Sequence, residues 1–366
     1  MISVEKPAEI RVRTPEGAYT IFPGNGLLAQ IGDLARRAGL GRKVVVASDS
    51  IVAPLYHELV RESLAANGFD AHLVTMPAGE EHKAWRSVDL FIDGFLDAGL
   101  DRGGWVLALG GGVVGDTAGF AASIYMRGVT LVQVPTTLLA MADSSIGGKV
   151  GVDHTRGKNL LGAFKQPRMV VADLDVLTTL PPEQIACGMA EIIKAGVIAA
   201  PALFSLIESS EPAQLSLLDA LLRAIMVKRE IVQRDPHEAG ERALLNLGHT
   251  FAHAFERCTG YTRLHGFAVA QGMVVAAKLA ARLGICEPEM EPRISAVLSK
   301  WSLPVRWGAP DLLDSEAVGR VWQAMLVDKK RRDGELPLVL PEAIGRVRLV
   351  PGTAEDAVKN VLEELQ

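Results

Sequence analysis

The chain has 366 residues, of which 49% are hydrophobic and 22% charged, a composition typical of a globular protein with full-sized cores. Its formal net charge of -5 and isoelectric point of about 6.0 argue against nucleic acid or an anionic membrane surface as a partner. No apolar run reaches the length of a membrane span, and the charged N-terminal segment lacks the apolar core of a signal peptide. The cysteines Cys187, Cys258 and Cys286 form no close pair in the sequence. We therefore expect a cytoplasmic protein with reduced thiols.

The first half of the chain alternates short apolar runs with helical patterns. The predicted strands are Ala18–Phe22, Lys43–Ser48, Ala71–Thr75, Trp105–Leu109, Val129–Val134 and Met169–Ala172. Helical patterns cover Ile51–Asn67 and Lys83–Ala98. Apolar strands that alternate with helices are typical of a mostly parallel sheet covered on both faces. The sequence therefore predicts an α/β, Rossmann-like domain over residues 1–178.

From Pro181 onward the strand pattern almost disappears, and long helical patterns follow one another. The predicted helices are Glu183–Ala199, Ala213–Arg234, Glu241–Cys258, Phe267–Leu283, Glu289–Lys300 and Ser315–Asp328. A short apolar run, Leu336–Leu340, interrupts this series near the end. We place the domain boundary near Asp175–Pro182 and expect an all-α domain over residues 179–366.

A glycine-rich turn follows the predicted strand Trp105–Leu109. The segment Gly110–Asp116 contains the pattern G-x-G-x-x-G, whose glycines let backbone N–H groups approach a pyrophosphate at a helix N-terminus. A plain strand-to-helix turn is the alternative. Asp49 ends another strand and is a candidate for a ribose contact, or else for capping the next helix. Gly79–Lys83 ends a further strand and either contacts the sugar or begins a helix. Taken together, the glycine turn, Asp49 and this segment predict a dinucleotide site.

The predicted helix Glu241–Cys258 carries a polar stripe. Arg242, Asn246, His249 and His253 are spaced four, three and four residues apart, which places them on one face of a helix. Apolar residues flank this face, and unpaired polar groups in a buried helix cost free energy. An anionic substrate and a cation would pair with these side chains; satisfied core histidines are the alternative.

Motifs between Gly110 and Pro167 indicate a family. GGGVVGDTAGF, YMRG, VPTTLLA, DSSIGGK and GKNLLGAF occur in an order and spacing that resemble the sugar phosphate cyclases, closest to their dehydroquinate synthase branch. The likeness continues through MAEIIK, LLNLGHTFAHA and LHG and spans roughly Asp49 to Leu340. It implies an enzyme that uses bound NAD and a divalent metal, zinc or cobalt, and that forms a homodimer.

The resemblance also implies the residues of the site. The implied metal ligands are Glu191, His249 and His265, a set that leaves open positions on zinc for substrate oxygens. The residues implied for the sugar phosphate substrate are Arg127, Asp143, Lys149, Lys158, Asn159, Lys194, Lys228, Arg242, Asn246 and His253. The residues implied for the nucleotide are Asp49, Glu80, Lys83, Gly111, Gly112, Val113, Asp116, Thr136, Thr137, Lys149, Lys158, Thr179 and Leu180. Arg127 is expected to reach the neighbouring site of a dimer, and His253 to contact substrate or transfer a proton.

The reaction implied by the resemblance converts 3-deoxy-D-arabino-heptulosonate 7-phosphate to 3-dehydroquinate and phosphate. This step of the shikimate pathway leads to aromatic amino acids. It proceeds by transient oxidation with NAD, elimination of phosphate, re-reduction and an intramolecular aldol. Lysines and arginines from several segments suit a substrate with two anionic groups.

Some positions depart from the family pattern. Val150 and Asp153 stand where Thr and Asn are common, and Phe267 replaces a Glu that could support the neighbouring metal ligand. Glu335–Pro337 stands where basic residues are usual, and Glu335 would repel a phosphate. A secondary-metabolic cyclase such as an aminodehydroquinate synthase therefore stays an alternative. Cyclases of other sugar phosphates fit the pattern around Arg242 less well, and a metal-dependent polyol dehydrogenase would not need the cluster of cations.

Overall fold

A computed structural model describes residues 8–308, 312–329 and 336–366, so that Glu335 lies outside the described residues. The chain divides into two compact units, Met1–Leu180 and Pro181–Gln366. The strands of the first unit are β1 (Ile10–Thr14), β2 (Gly17–Gly24), β3 (Lys43–Asp49), β4 (Asp70–Met76), β5 (Trp105–Gly110), β6 (Thr130–Pro135), β7 (Lys149–His154), β8 (Gly157–Phe164) and β9 (Met169–Asp173). Its helices are α1 (Ile31–Arg37), α2 (Val52–Ala66), α3 (Trp85–Asp97) and α4 (Gly112–Ile124).

Seven of these strands form one sheet in the order β1-β2-β9-β6-β5-β3-β4. β1 and β2 are antiparallel, whereas the neighbours from β2 to β4 along this order are parallel. The mostly parallel sheet that the sequence predicts is therefore confirmed. β7 and β8 form a separate antiparallel hairpin, which no apolar run in the sequence predicts.

The chain reverses direction across this sheet beside β3. After β3 the chain adds β4 on one side of that strand. It then crosses back, so that β5 pairs with β3 on the opposite side. In open parallel sheets ligands bind outside the carboxyl ends of the strands, at such a reversal. Asp49 ends β3 and Gly111 follows β5, so the predicted nucleotide contacts lie next to this point.

The second unit is predominantly helical, as the sequence predicts. Its helices are α5 (Pro182–Ala199), α6 (Pro201–Ser209), α7 (Leu217–Arg234), α8 (His249–Cys258), α9 (His265–Arg282), α10 (Met290–Lys300), α11 (Ala317–Lys329) and α12 (Glu355–Leu365). A small antiparallel hairpin joins β10 (Leu338–Ala343) and β11 (Arg346–Val350). α9 is buried along most of its length and packs against α5, α8, α10 and α12. Among the described residues, no helix has both the length and the apolar character that a membrane crossing requires.

The single helix predicted over Glu241–Cys258 is wrong. The structure has a 3-10 segment over Glu241–Asn246, and α8 begins only at His249. Between them Gly248 has a φ of +80°, and a Cβ at this position would lie 2.8 Å from the backbone nitrogen of Met273. Because α9 approaches so closely, the chain turns at a glycine before α8 starts. The four polar residues of the predicted stripe therefore do not share one continuous helix.

Candidate active site

Three side chains of the second unit converge on one point. Nε2 of His249 lies 3.8 Å and Nε2 of His265 lies 3.7 Å from Oε1 of Glu191. One ligand atom from each of the three residues lies within 4.8 Å of the other two. These separations are too long for hydrogen bonds, but ligand atoms around a tetrahedral zinc ion lie roughly 3.4 Å apart. The structure thus brings together the three residues predicted as metal ligands.

Glu191 lies in an environment that calls for a cation. Its side chain is 2% exposed, and within the described residues neither carboxylate oxygen accepts a hydrogen bond. Lys194, one turn further along α5, forms an ion pair with the same carboxylate. A buried carboxylate is costly unless charges or hydrogen bonds compensate it. One carboxylate and two imidazoles fit a divalent cation and leave coordination positions for a substrate.

Close contacts at two glycines allow the helices of this cluster to meet. A Cβ at Gly266, the second residue of α9, would lie 2.3 Å from Cα of Cys187 on α5. A Cβ at Gly272 would lie 2.1 Å from the backbone oxygen of Gly248, which directly precedes α8. Side chains at these glycines would force the helices apart. The two contacts therefore hold the three ligand-bearing helices at the spacing a shared cation needs.

Each imidazole of the cluster is oriented through its other ring nitrogen. Nδ1 of His249 lies 3.3 Å from the backbone oxygen of Leu247. Nδ1 of His265 lies 3.2 Å from Oε1 of Glu256. Both rings therefore direct Nε2 toward Glu191, the arrangement that metal-binding histidines commonly adopt. No motif predicted Glu256, although it follows His249 by two helical turns on α8.

Arg242 and Asn246 lie in the 3-10 segment that precedes α8. Arg242 is 3% exposed, and its guanidinium donates a hydrogen bond to the backbone oxygen of Pro236. Asn246 donates from Nδ2 to Oε1 of Glu238 at 2.8 Å, and Glu238 has a φ of +58°. A non-glycine residue in the left-handed region needs a local stabilising contact, which this hydrogen bond supplies. Glu238 precedes the segment in an irregular loop, where no periodic pattern marks it.

Two lysines and a histidine predicted for the substrate are also in this unit. Lys194 on α5 and Lys228 on α7 are buried. A buried ammonium group keeps its charge when anionic groups or ligands lie nearby. His253 is exposed on α8, with its ring centroid 5.7 Å from that of His249 and 6.4 Å from that of His265. His253 therefore lies beside the three-residue cluster without being part of it.

The glycine turn of the first unit joins β5 to α4. Gly111 precedes the first residue of α4, and a Cβ at Gly115 would lie 2.8 Å from Oε1 of Gln133 on β6. Gln133 donates to the backbone oxygen of Gly115 at 3.1 Å. The last glycine of the pattern therefore lets α4 pack closely on the sheet, as in dinucleotide-binding folds. Gly112 and Val113 are the first two residues of α4.

The other predicted nucleotide contacts also follow the carboxyl ends of parallel strands. Thr136 and Thr137 follow β6, and the backbone N–H of Thr136 donates to Gly110 at 2.9 Å. Thr179 and Leu180 come after β9 at the end of a 3-10 segment. Oδ1 of Asp49 accepts the backbone N–H groups of Ile51 and Val52, both at 2.8 Å. Asp49 therefore does cap the start of α2, as its alternative role predicted. The following residues lie at or after the carboxyl ends of parallel strands: Asp49, Glu80, Lys83, Gly111, Gly112, Val113, Thr136, Thr137, Thr179 and Leu180.

Two lysines link the β7–β8 hairpin to this region. Lys83 is buried, with Nζ 2.6 Å from Oδ2 of Asp116 and 2.8 Å from Oδ1 of Asn159. Burial acts to lower the pKa of Lys83, but the carboxylates of Asp116 and Glu80 outweigh it and raise this pKa. Nζ of Lys158 lies 3.0 Å from Oε1 of Glu80. Residues predicted for the nucleotide and for the substrate thus form one cluster of contacts.

The two departures in the hairpin have structural explanations. Val150 is buried, and a Cβ at Gly119 of α4 would lie 2.5 Å from its Cγ1, so Val150 packs against that helix. Asp153 accepts the backbone N–H of Asn159 at 2.7 Å, and burial raises the pKa of Asp153. Both side chains therefore stabilise the hairpin that carries Lys158.

Three further predicted residues lie elsewhere in the first unit. Asp143 lies in a π-helical turn, Ala140–Ser144, and Lys149 is the exposed first residue of β7. Arg127 is exposed at the end of a 3-10 turn, with a φ of +67°. Its side chain therefore lies on the surface of this unit.

Comparisons with known proteins agree with this geometry. The family model for the 3-dehydroquinate synthase N-terminal part matches residues 73–187, and that for the C-terminal part matches residues 188–331. The 3-dehydroquinate synthase of Geobacter metallireducens is 47% identical over 339 residues, which cover 91% of this chain and 92% of that protein. The chain therefore belongs to the 3-dehydroquinate synthase family.

Solved structures of related cyclases have the same fold. The 2-epi-5-epi-valiolone synthase from Streptomyces hygroscopicus, with NAD+ and Zn2+ bound, has a TM-score of 0.86 and 30% identity and covers 95% of this chain and 96% of its own. A 2-deoxy-scyllo-inosose synthase complexed with carbaglucose-6-phosphate, NAD+ and Co2+ also has a TM-score of 0.86. It is 25% identical and covers 98% of this chain and 100% of its own.

Proposed function

We propose that this protein is a 3-dehydroquinate synthase that converts 3-deoxy-D-arabino-heptulosonate 7-phosphate to 3-dehydroquinate and phosphate. In this reaction it is a phosphate-eliminating carbon–oxygen lyase of the shikimate pathway. The observation that carries the proposal is the convergence of Glu191, His249 and His265 in a chain that matches this family along most of its length.

We propose that the first unit is an NAD-binding domain and the second a domain for the metal and the substrate. The glycine turn and the strand ends beside β3 and β5 support the first assignment, and the buried donor set supports the second. Two solved relatives contain NAD+ together with Zn2+ or Co2+. When bound, NAD supplies reversible oxidation of a substrate hydroxyl, and the metal stabilises negative charge on a substrate oxygen.

The remaining side chains are proposed to bind and orient the substrate. Lys194, Lys228 and Arg242 are cations buried in the second unit, where a desolvated carboxylate or phosphate would pair with them strongly. Asn246 offers an amide for a hydroxyl group, and Glu238 fixes its orientation. Catalysis by such residues comes mainly from positioning and charge stabilisation.

His253 is proposed to hold or deliver a proton at a substrate oxygen. Its imidazole is exposed next to the ligand cluster, and an imidazole has one nitrogen that accepts a proton and one that donates it, as general acid–base catalysis requires. The substrate's own phosphate can act as the base for its elimination. A strongly basic side chain is therefore not required for that step.

A phosphate-release assay tests the proposed reaction. Purified protein with NAD and zinc is offered the heptulosonate phosphate, its amino-substituted analogue and sedoheptulose 7-phosphate. We expect phosphate release from the heptulosonate phosphate without net formation of NADH, because the hydride returns to the substrate. Preference for the amino analogue would instead support an aminodehydroquinate synthase. No phosphate release from any of these compounds, with net NADH formed from a polyol, would contradict the cyclase function.

We further propose a homodimer in which Arg127 contributes to the neighbouring site. Arg127 is exposed, and the apolar side chains of Ile124 and Met126 beside it are 39% and 41% exposed. Phe164 at the end of β8 is 48% exposed. Exposed apolar side chains near an unusual backbone turn suit a surface that is covered in an assembly.

Mixing two inactive variants tests this arrangement. We expect Arg127→Ala and His249→Ala to be inactive alone, whereas subunit exchange between them restores about a quarter of the wild-type activity, because half of the dimers then hold one complete site. As the control, a mixture of His249→Ala and Glu191→Ala should stay inactive, since both changes affect the same subunit's own site. If the mixture of Arg127→Ala and His249→Ala stays inactive even though the subunits are shown to exchange, a shared site is disproved.

We also propose that the protein works in the cytoplasm. Its three cysteines are free thiols, as expected in a reducing compartment. Burial raises the pKa of Cys187 to about 11, so this thiol stays protonated and unreactive at neutral pH.

A further inference from the structure

Glu256 is a buried carboxylate that touches a metal ligand. Glu256 lies near the end of α8 and is only 1% exposed. Its Oε1 lies 3.2 Å from Nδ1 of His265. On the opposite side of the same ring, Nε2 faces Glu191 at 3.7 Å. The imidazole of His265 therefore lies between two carboxylates, of which one belongs to the ligand cluster and the other does not.

Helix α8 supplies two different parts of this arrangement. His249 is its first residue, and Glu256 follows seven residues later, which is two helical turns along the same face. The helix thus carries one ligand directly and supports another ligand that begins α9. A shift of α8 would move His249 and the partner of His265 together.

The charges around Glu191 give Glu256 a second role. Lys194 forms an ion pair with Glu191, so these two side chains together contribute almost no net charge. The histidines bind a metal in their neutral form. On the other side of the cluster, the carboxylate of Glu256 lies 3.2 Å from Nδ1 of His265. A carboxylate that accepts a hydrogen bond from a ligating imidazole also makes the imidazole a stronger donor to the metal.

This arrangement bears on the departure at Phe267. The family pattern has an acid at that position, two residues beyond His265, and its absence suggested that the ligand lacks an acidic partner. In the structure, the carboxylate beside His265 comes from α8 instead. His265 therefore has an acidic partner even though residue 267 is a phenylalanine and not a glutamate.

We propose that Glu256 is a positioning residue: its carboxylate orients His265 so that Nε2 faces the metal, and its charge raises the affinity for the cation. This inference rests on the proposed metal site. It assigns a tautomer to His265, with the proton on Nδ1 and the metal on Nε2.

Zinc affinity of the full-length protein tests the proposal, measured at neutral pH by competition with a chromophoric chelator. Glu256→Gln keeps a carbonyl acceptor but removes the charge, and Glu256→Met removes both. We expect zinc binding to weaken by about 10-fold for the first and about 100-fold for the second. Thr259→Val is the matched control, because Thr259 is buried directly after the last residue of α8 and its hydroxyl donates to the backbone oxygens of Phe255 and Glu256. Its zinc affinity should stay within about twofold of wild type.

The outcomes separate the inference from the proposed function. If the wild-type protein binds zinc and the zinc affinity of Glu256→Met is within twofold of the wild-type value, the inference about Glu256 is wrong but the metal site stands. An equal loss in Thr259→Val would do the same, since it would indicate a purely structural effect of the helix end. Failure of the wild-type protein to bind zinc would overturn the proposed metal site itself. If the Glu256 variants do not fold, nitrogen NMR of the zinc-loaded wild type decides, because a proton on Nε2 of His265 would disprove the assigned tautomer.

Discussion

The His249→Ala variant is expected to lose nearly all bound zinc and at least about a thousandfold in turnover. Its imidazole is one of the three ligand groups of the cluster, and the two remaining residues cannot hold a catalytic zinc ion with useful affinity. Zinc content after dialysis and the rate of phosphate release measure the two effects. A variant that retains stoichiometric zinc would contradict the assignment of His249 as a ligand.

The matched control for this prediction is His253→Ala. His253 lies one turn further along α8, with its ring 5.7 Å from that of His249, but it is outside the three-residue cluster. We expect this variant to keep its zinc and to lose turnover, because the proposed role of His253 concerns the substrate. Loss of zinc in both variants would indicate that the helix, and not a specific ligand, determines metal binding.

The Lys83→Met variant is expected to destabilise the first unit by roughly 3 kcal/mol and to weaken NAD binding. Lys83 is buried, and its removal leaves the carboxylate of Asp116 without the ammonium group 2.6 Å away. It also removes the hydrogen bond to Asn159 on the β7–β8 hairpin. The expected loss lies at the low end for buried ion pairs because the Asp116 side chain is 19% exposed. Urea unfolding followed by tryptophan fluorescence and an NAD titration measure the two effects.

Lys158→Met provides the comparison for this prediction. Its ion pair with Glu80 is more exposed, with side chains 20% and 39% exposed. Solvent screens such a pair, so that its loss should cost roughly 1 kcal/mol or less. Equal destabilisation by the two substitutions would show that burial does not set the strength of these contacts.

Local sequence patterns predicted the central strands well. β3, β5, β6 and β9 lie within one or two residues of the predicted runs. These strands are buried on both faces, so nearly every residue must be apolar, and a continuous apolar run is visible in the sequence. The β7–β8 hairpin was missed because no residue of β8 is fully buried and the strand carries the polar residues Lys158 and Asn159.

The break before α8 could not be read from periodicity. The spacing of Arg242, Asn246 and His249 is compatible with one helix, yet the chain turns at Gly248. The cause is the approach of α9, whose Gly272 lies against the backbone of Gly248. A contact between segments so far apart in the chain leaves no mark on the local pattern.

The sequence by itself determined the family resemblance, the mostly parallel sheet, and the identity of Glu191, His249 and His265 as candidates. The parallel sheet follows from local apolar patterns, whereas the three ligands are implied by the resemblance, which rests on motifs that the chain displays directly. Only the tertiary structure showed that these three side chains meet, that Asp49 caps α2, and that Glu256 supports His265. The meeting of the three ligands and the contact of Glu256 with His265 are distances between groups on different helices, and packing is a property of the folded chain; the Asp49 cap is local, and the structure only decided between its two predicted roles.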